Sequence, residues 1–258
     1  MPNPNYTLGR GKVYFARFNP GTTTPGAFRY IGNTPEFNMT IESETLDHYN
    51  SDRGVREKDD SVPLGVTRSG TLVCDDIQAE NVALFFYGST DILSTVSATG
   101  QSETFLGVKK GMHYQIGLTP QNPVGVRGVS VTTVASSPAG TTYQTPRDYI
   151  VDNARGMIEI VETGTIPNNG SIVVTYNVLA STQERILSGS APVEGAMRYL
   201  ENNPRGTDRD MFLPFVKITP NGDLALKGDD WRQIPFSIEA LKPSVGEAIY
   251  INGLPVAS

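Results

Sequence analysis

Apolar and polar residues alternate with a period of two along most of the chain, which is the pattern of half-buried β-strands. In residues 37–42, Phe37, Met39 and Ile41 alternate with polar neighbours. A second segment carries four residues of one parity that are predicted to face a core: Leu64, Val66, Leu72 and Cys74. The two segments are therefore predicted to pair as a long hairpin.

Other strands are predicted where the same alternation is bounded by Gly, Pro, Asn or Asp. They cover residues 13–18, 113–118, 129–134, 157–161, 172–178, 211–219, 224–226 and 234–238. Pro220, Asn221, Gly222 and Asp223 separate two of them, and Asn-Gly favours the positive φ angles of a tight turn. A tight hairpin is therefore predicted at 220–223.

Two prolines lie inside predicted strands, Pro214 and Pro235. Proline cannot donate a hydrogen bond to a sheet, so these strands are predicted to lie at a sheet edge or to carry a bulge. Such edges would be places where the sheets of two subunits join.

One segment departs from the strand pattern and predicts a short helix. Asp75 or Asp76 is the expected N-cap, and the helix is expected to end near Gly88. Its broad apolar face is formed by Ile77, Val82, Leu84, Phe85 and Phe86. This helix is predicted to cover one face of a sheet.

The chain is therefore predicted to be all-β, with an antiparallel β-sandwich or barrel-like fold and one short flanking α-helix. Between residues 119 and 182 the sequence becomes rich in Thr, Ser, Val and Gly. We predict that 1–118 and 183–258 form the core domain, and that 119–182 form a small β-rich insertion that is peripheral and faces outward.

Composition supports this fold class and excludes several functions. Among 258 residues there are 26 Gly and 18 Pro without a fixed period, which indicates many turns rather than collagen or disorder. A net charge of −6 argues against general nucleic-acid binding. No stretch approaches the roughly 20 apolar residues that span a bilayer, and the first residues do not resemble a signal peptide. We expect no membrane insertion.

Residue types that carry chemistry are sparse and badly spaced for catalysis. His48 and His113 have no partner at metal-binding spacing, and Cys74 shares the parity of core residues, where a buried thiol is usually inert. Adjacent carboxylates occur at 59–60, 75–76 and 229–230, and neighbours in an extended chain point apart. We therefore predict no catalytic, metal or cofactor-binding residues, and no enzyme.

Residues 49–61 are dense in alternating charge and lack apolar periodicity. Most such runs are solvated hairpin loops. A long loop between two well-patterned strands also favours a recognition role. The candidate contact residues between subunits or rings are Arg53, Arg56, Glu57, Lys58, Asp59 and Asp60.

A series of segments resembles the major tail tube proteins of long-tailed, siphovirus-like bacteriophages. These segments are residues 9–15, 30–37, 41–44, 57–60, 80–86, 193–199, 220–223 and 227–231. The resemblance spans nearly the whole chain, is weakest at 119–182, and depends on the order of the segments because no single motif is diagnostic.

The resemblance implies a structural virion protein that assembles as stacked hexameric rings, forming the conduit for DNA ejection into the host. It implies as partners other copies of the chain, the tape measure protein, and the tail terminator and distal tail proteins. Double-stranded DNA would pass without specific binding. The protein would reside in the virion tail, and in the host bacterial cytoplasm during assembly.

In such a tube, we expect specific contacts within each ring and between stacked rings. Ring closure would pair the edge strands of neighbouring subunits, and an acidic lumen would repel DNA phosphates. When rings stack, the 49–61 loop is expected to become ordered, with Arg53, Arg56 and Lys58 contacting carboxylates of the next ring.

The alternative function is a monomeric β-sandwich binding module of the carbohydrate-binding or adhesin-like kind. Its support is the count of 11 Tyr, the insertion, and Trp231 as a candidate platform. A hydrolase is a third possibility, and it lacks an acid, base and nucleophile set.

Overall fold

The computed structural model describes residues 6–52 and 54–254, and this part of the chain is nearly all β. The strands are β1 (Gly11–Arg17), β2 (Arg29–Tyr30), β3 (Glu36–Asn50), β4 (Glu57–Cys74), β5 (Ser89–Thr95), β6 (Ala98–Val108), β7 (His113–Gln115), β8 (Val129–Ser136), β9 (Tyr149–Asp152), β10 (Met157–Ile160), β11 (Gly170–Val178), β12 (Ser181–Leu187), β13 (Val193–Glu201), β14 (Arg209–Pro220), β15 (Ile234–Ala240) and β16 (Tyr250–Gly253). The helix is α1 (Ala79–Phe85). The predicted all-β class with one short helix is confirmed.

The chain folds as two compact units. Unit 2 is Ile92–Glu184, and unit 1 is formed by the segments on either side of it. Residues 92–118, which the sequence analysis placed in the core domain, belong to unit 2 because β6 pairs with β11 and β7 pairs with β10. Alternation predicts a strand but not its partner, so it did not reveal these pairings.

Unit 1 is built on one antiparallel sheet with the order β2-β1-β13-β14-β15-β4-β3, and β16 pairs with part of β14. β15 contacts β4 only at Ser69–Cys74, whereas β3 pairs with β4 along its whole length. On the N-terminal side of Ser69, β4 therefore pairs only with β3, and the sheet is two strands wide.

The core of unit 1 lies on one face of this sheet, where α1 packs. Leu84 of the helix is buried with Leu72, Phe236 and Ile238 of the strands. The rings of Phe85 and Phe236 meet edge to face, 6.4 Å between centroids. The predicted role of the helix, to cover a sheet, is confirmed.

The helix begins later than predicted and without an aspartate cap. Its N-cap is Gln78, whose side chain makes no capping hydrogen bond. Asp76 instead accepts a bond from Gln78 Nε2 at 2.8 Å, and Asp75 accepts one from Asn33 Nδ2 at 2.7 Å. Both carboxylates thus stabilise the segment that immediately precedes the helix. The helix ends at Phe85, before the predicted Gly88.

The two strand prolines have different environments, and neither lies in an edge strand. Pro214 lies at a register shift between β13 and β14, so the predicted bulge is confirmed there. Pro235 is the second residue of β15 and faces Val73 of β4. Because β14 and β15 are inside the sheet, the expectation that these prolines mark a joining edge was wrong.

The predicted tight hairpin at 220–223 is also wrong. Gly222 has the expected positive φ of 87°, but β15 begins only at Ile234, and residues 224–226 are not a strand. Leu224 packs against the core, and the Arg232 guanidinium donates to the Leu226 carbonyl at 2.6 Å. These contacts stabilise a long loop, residues 221–233.

Unit 2 contains two three-stranded antiparallel sheets, β6-β11-β8 and β7-β10-β9. Their apolar side chains form a separate core that includes Ile116, Ile158 and Ile172. Asp148 is fully buried beside this core and accepts five hydrogen bonds. Within the described ranges, no helix of either unit is long and apolar enough to cross a bilayer.

Candidate assembly surface

The most unusual feature of unit 1 is a two-stranded extension of the sheet, residues 41–68, which we call the arm. Here β3 and β4 pair only with each other. At about 3.4 Å per residue, the ten β3 residues 41–50 extend roughly 30 Å past the full sheet. A two-stranded ribbon of this kind is only marginally stable in water.

The arm exposes apolar side chains along its length. Ile41 is 64% exposed, and Val66 lies diagonally across from it on the same face of the ribbon. The exposed apolar residues of the arm are Ile41, Leu46, Tyr49, Val55, Val62, Leu64 and Val66. Exposed apolar side chains do not stabilise a monomer, so this surface of the arm indicates a contact site for another molecule.

The arm also contains an open sheet edge. β3 is the last strand of its sheet, and in the described structure no strand pairs with its outer side. At the opposite end of the sheet, β2 is only two residues long, and the Ile31 and Gly26 amides on either side of it donate to the β1 carbonyls of Val13 and Arg17 at 3.2 and 2.9 Å. A long unpaired edge promotes pairing with another chain.

The charged segment 49–61, predicted to be a loop, is mostly strand. β3 extends to Asn50 and β4 starts at Glu57, so residues 51–56 alone connect them. Backbone pairing needs no apolar periodicity, and two register shifts, at Glu44/Thr45 and His48/Tyr49, accommodate the polar sequence. The segment is therefore the tip of the arm.

The basic candidate residues at the tip have partners within the arm itself. Lys58 Nζ lies 2.6 Å from Asp47 Oδ1, which also accepts a bond from Ser61 Oγ at 2.7 Å. The Arg56 guanidinium stacks over the Tyr49 ring at 4.6 Å. Arg53 lies outside the described residues.

The acidic candidates lie on β4 at the same tip. Asp59 Oδ1 is 2.5 Å from His48 Nδ1, Asp60 Oδ1 accepts the Ser61 amide at 2.8 Å, and Glu57 is exposed. The structure therefore brings Arg56, Glu57, Lys58, Asp59 and Asp60 together on one exposed tip. Exposed pairs of this kind contribute little to folding, which leaves them available for contacts.

Lys58 is expected to control the titration of Asp47. The Lys58 hydrogen bond, followed by that of Ser61, lowers the pKa of Asp47 below its ordinary value. Lys58→Met should raise this pKa toward the ordinary range, because the charged donor is lost. NMR titration of the Asp47 carboxyl carbon measures the change.

Lys227→Met, which removes an exposed lysine of the 221–233 loop, is the matched control and should leave the Asp47 titration unchanged. An unchanged Asp47 titration in Lys58→Met would mean that the ion pair is absent in solution.

Groups that could carry chemistry are dispersed elsewhere. His113 Nε2 lies 3.5 Å from Glu159 Oε2, and both side chains are partly exposed. Burial raises the pKa of the Cys74 thiol, which is fully buried and donates to the Ile31 carbonyl at 3.1 Å. In the part of the chain that the structure describes, no three His, Cys, Asp or Glu side chains form a group able to hold a metal ion.

Sequence reasoning missed the edge of β3 and the exposure of the arm. A signal was present in the even-numbered residues 42–50, which include two glutamates, a histidine and an asparagine, because charged residues are frequent on exposed edge strands. Ile41 was predicted to share a core-facing side with Phe37 and Met39, and only Phe37 and Met39 pack against the core.

Comparison with known protein families gives a match. No curated protein matches the chain. The model of one protein family matches residues 6–246, which include nearly all of both units. The chain therefore belongs to the family described as "Protein of unknown function UCP028589".

Proposed function

We propose that this protein is a structural subunit that assembles with copies of itself, and that the assembly is the tail tube of a long-tailed bacteriophage. The observation that carries the proposal is the arm with its open β3 edge. The role is structural rather than catalytic.

The arm supports self-assembly for two physical reasons. An unpaired edge 15 residues long gains a full set of backbone hydrogen bonds when another strand pairs with it. Covering the exposed apolar residues with a neighbouring subunit stabilises the assembly by about 25 cal/mol per Å² of apolar area removed from water. Where the arm of one subunit pairs with a different surface of the next, the contact is head to tail and closes into a ring or continues as a filament.

The ring of six subunits and the stacking of rings come from the resemblance to tail tube proteins. In such a tail the partners are the tape measure, tail terminator and distal tail proteins, and the location is the virion after assembly in the host cytoplasm. The arm supports the proposed transit of DNA, because residues 41–68 contain seven acidic and four basic side chains. An acidic surface repels phosphates and so prevents DNA from adhering.

Electron microscopy tests the proposal directly. Negatively stained full-length protein should show rings or hollow tubes, and sedimentation should show oligomers that grow with protein concentration. The proposal would be contradicted if the protein stays monomeric at high concentration and virions have no tubes that contain this chain.

One observation favours the alternative, a monomeric binding module for carbohydrate. Trp231 is 90% exposed, as expected of an aromatic platform for a sugar ring. This alternative expects a monomer whose Trp231 fluorescence changes when glycans are added. Rings without any glycan response would instead favour the structural role.

A further inference from the structure

Unit 1 contains a cavity between β1, the segment that follows it, and α1. Its apolar walls include Phe15, Phe18 and Leu84. Its charged walls include Arg17 and Arg29, with Glu80 on the side of the helix. The cavity therefore combines an apolar interior with two guanidinium groups.

The hydrogen bonds of the two arginines go to neutral groups, although the nearby carboxylates of Glu80 and Asp76 act on the charge of Arg29. Arg17 Nη2 donates to the Gly88 carbonyl at 2.7 Å, and Arg29 Nη2 donates to Asn81 Oδ1 at 2.7 Å. Among the ion pairs of the described residues, none includes either arginine. Burial, and then the positive charge of Arg29, lowers the pKa of Arg17. An anion bound between them would relieve this repulsion.

Asn81 makes this arrangement rigid. It is almost fully buried, and its Nδ2 donates to the Ile31 and Asp76 carbonyls at 2.8 Å each. With its amide nitrogen committed to these carbonyls, Asn81 presents its oxygen to Arg29. A guanidinium positioned in advance loses less side-chain entropy when it binds a carboxylate.

A second feature of unit 1 is complementary to this cavity. The loop 221–233 carries Asp229, Asp230 and Trp231 in succession, all exposed. Trp231 is the only tryptophan of the chain and is 90% exposed. The Trp231 amide donates to Asp230 Oδ1 at 2.7 Å, and the Arg232 bond to the Leu226 carbonyl holds the loop together.

We propose that the loop of one copy docks into the cavity of a second copy, with Trp231 between the apolar walls and the carboxylates of Asp229 and Asp230 paired with Arg17 and Arg29. This inference rests on the proposed self-assembly and identifies a contact other than the arm. The two surfaces differ, so the contact is head to tail and is compatible with a ring.

The residue types match those that dominate binding energy. Buried Trp and Arg are the commonest anchors of protein interfaces, and an arginine over an indole face adds a cation–π attraction. A carboxylate paired with a guanidinium forms the stronger, charge-assisted class of hydrogen bond. The segment supplies both kinds of contact within three residues.

A peptide-binding experiment tests the contact without requiring assembly. The probe is a fluorescently labelled peptide of residues 225–233, and the receptor is the full-length Trp231→Ala protein, whose own loop lacks the tryptophan and therefore competes weakly. Replacing the peptide's tryptophan by alanine should weaken binding about tenfold or more, as should Arg17→Glu in the receptor.

Two controls accompany the experiment. A peptide with Lys227→Ala and a receptor with Arg127→Glu, an exposed arginine of unit 2, should keep the original affinity. If the Arg17→Glu receptor does not fold, the peptide with Asp229→Lys and Asp230→Lys supplies the reciprocal test, because it reverses the charge on the other side.

The outcomes separate this inference from the proposed function. Absence of peptide binding, or equal binding by the original and Trp→Ala peptides, overturns the docking, and tubes formed by Trp231→Ala subunits would leave the tube proposal intact. Peptide binding that depends on Trp231 and Arg17 supports the docking even where electron microscopy finds no tubes, and in that case the tube proposal fails alone.

Discussion

A variant in which Asn-Gly replaces residues 43–66 is expected to fold and to lose the ability to form rings or tubes. Glu42 and Thr67 face each other across the hairpin, so the two-residue turn joins strands that are already in register. The deletion removes most of the arm and most of its open edge. Sedimentation velocity and electron microscopy should show loss of the rings and tubes formed by the full-length chain.

Folding should survive because the deleted residues bury almost nothing. All of those that the structure describes between 43 and 66, except the half-buried Asp47, are exposed, whereas the core residues of the same strands, Leu72 and Cys74, lie outside the deletion. Chemical denaturation is therefore expected to give nearly the same free energy of unfolding. A variant that fails to fold would show that the arm belongs to the stable core.

Point substitutions separate the apolar contacts of the arm from its backbone edge. Ile41→Ser combined with Val66→Ser should weaken assembly without changing the free energy of unfolding appreciably, since both side chains are largely exposed. Leu106→Ser is the matched control, because Leu106 is 78% exposed and lies in unit 2. Normal assembly by the deletion variant would exclude the arm as the assembly surface.

Alternation along the chain predicted strand positions better than it predicted burial. It located β3 and the buried end of β4, but Ile41, Leu64 and Val66 were expected in the core and are exposed. Alternation shows which residues share a face. It does not show whether a third strand or a helix covers that face, and coverage here ends where β15 stops pairing, at Ser69.

Local sequence signals were least reliable where tertiary contacts decide the conformation. Asn221 and Gly222 favour a tight turn, and Gly222 does adopt positive φ, but the core contact of Leu224 and the length of the connection to β15 give a 13-residue loop, 221–233. Charge density at 49–61 likewise suggested a loop, while backbone pairing extends both strands through most of it.

The cavity of Arg17 and Arg29 was not predictable from sequence, because α1 is far from β1 and β2 in the chain and only the folded structure brings them together. The loop that we propose as its occupant can be recognised in the sequence, because the chain's only tryptophan follows two aspartates in a polar segment. No sequence feature indicates that Asp148 is buried, because aspartate is usually exposed.

Asp148→Asn is expected to destabilise unit 2 by about 3 kcal/mol, since an amide nitrogen would face donors that now bond to a carboxylate. Asp148 accepts bonds from the Gln144 amide, from Arg147, and from the amide and hydroxyl of Thr165, at 2.8 to 3.1 Å. These bonds hold two separate segments together. Hydrogen exchange of β10 amides should speed up by a corresponding factor of about 100.

Asp152→Asn is the matched control: this partly exposed carboxylate bonds to Arg155 in the same unit, and its loss should change exchange little.

The effect of Asp148 should also depend on pH. The Arg147 guanidinium and the amides of Gln144 and Thr165 hold the pKa of Asp148 well below its usual range. A lowered folded-state pKa stabilises the fold above the unfolded-state pKa of about 4, and this contribution is lost as the pH falls further toward the folded-state value. The difference between wild type and Asp148→Asn should therefore be full at pH 6 to 7 and shrink below about pH 4. A difference independent of pH down to about 2 would mean that shape, and not the charge of the buried carboxylate, is what the substitution removes.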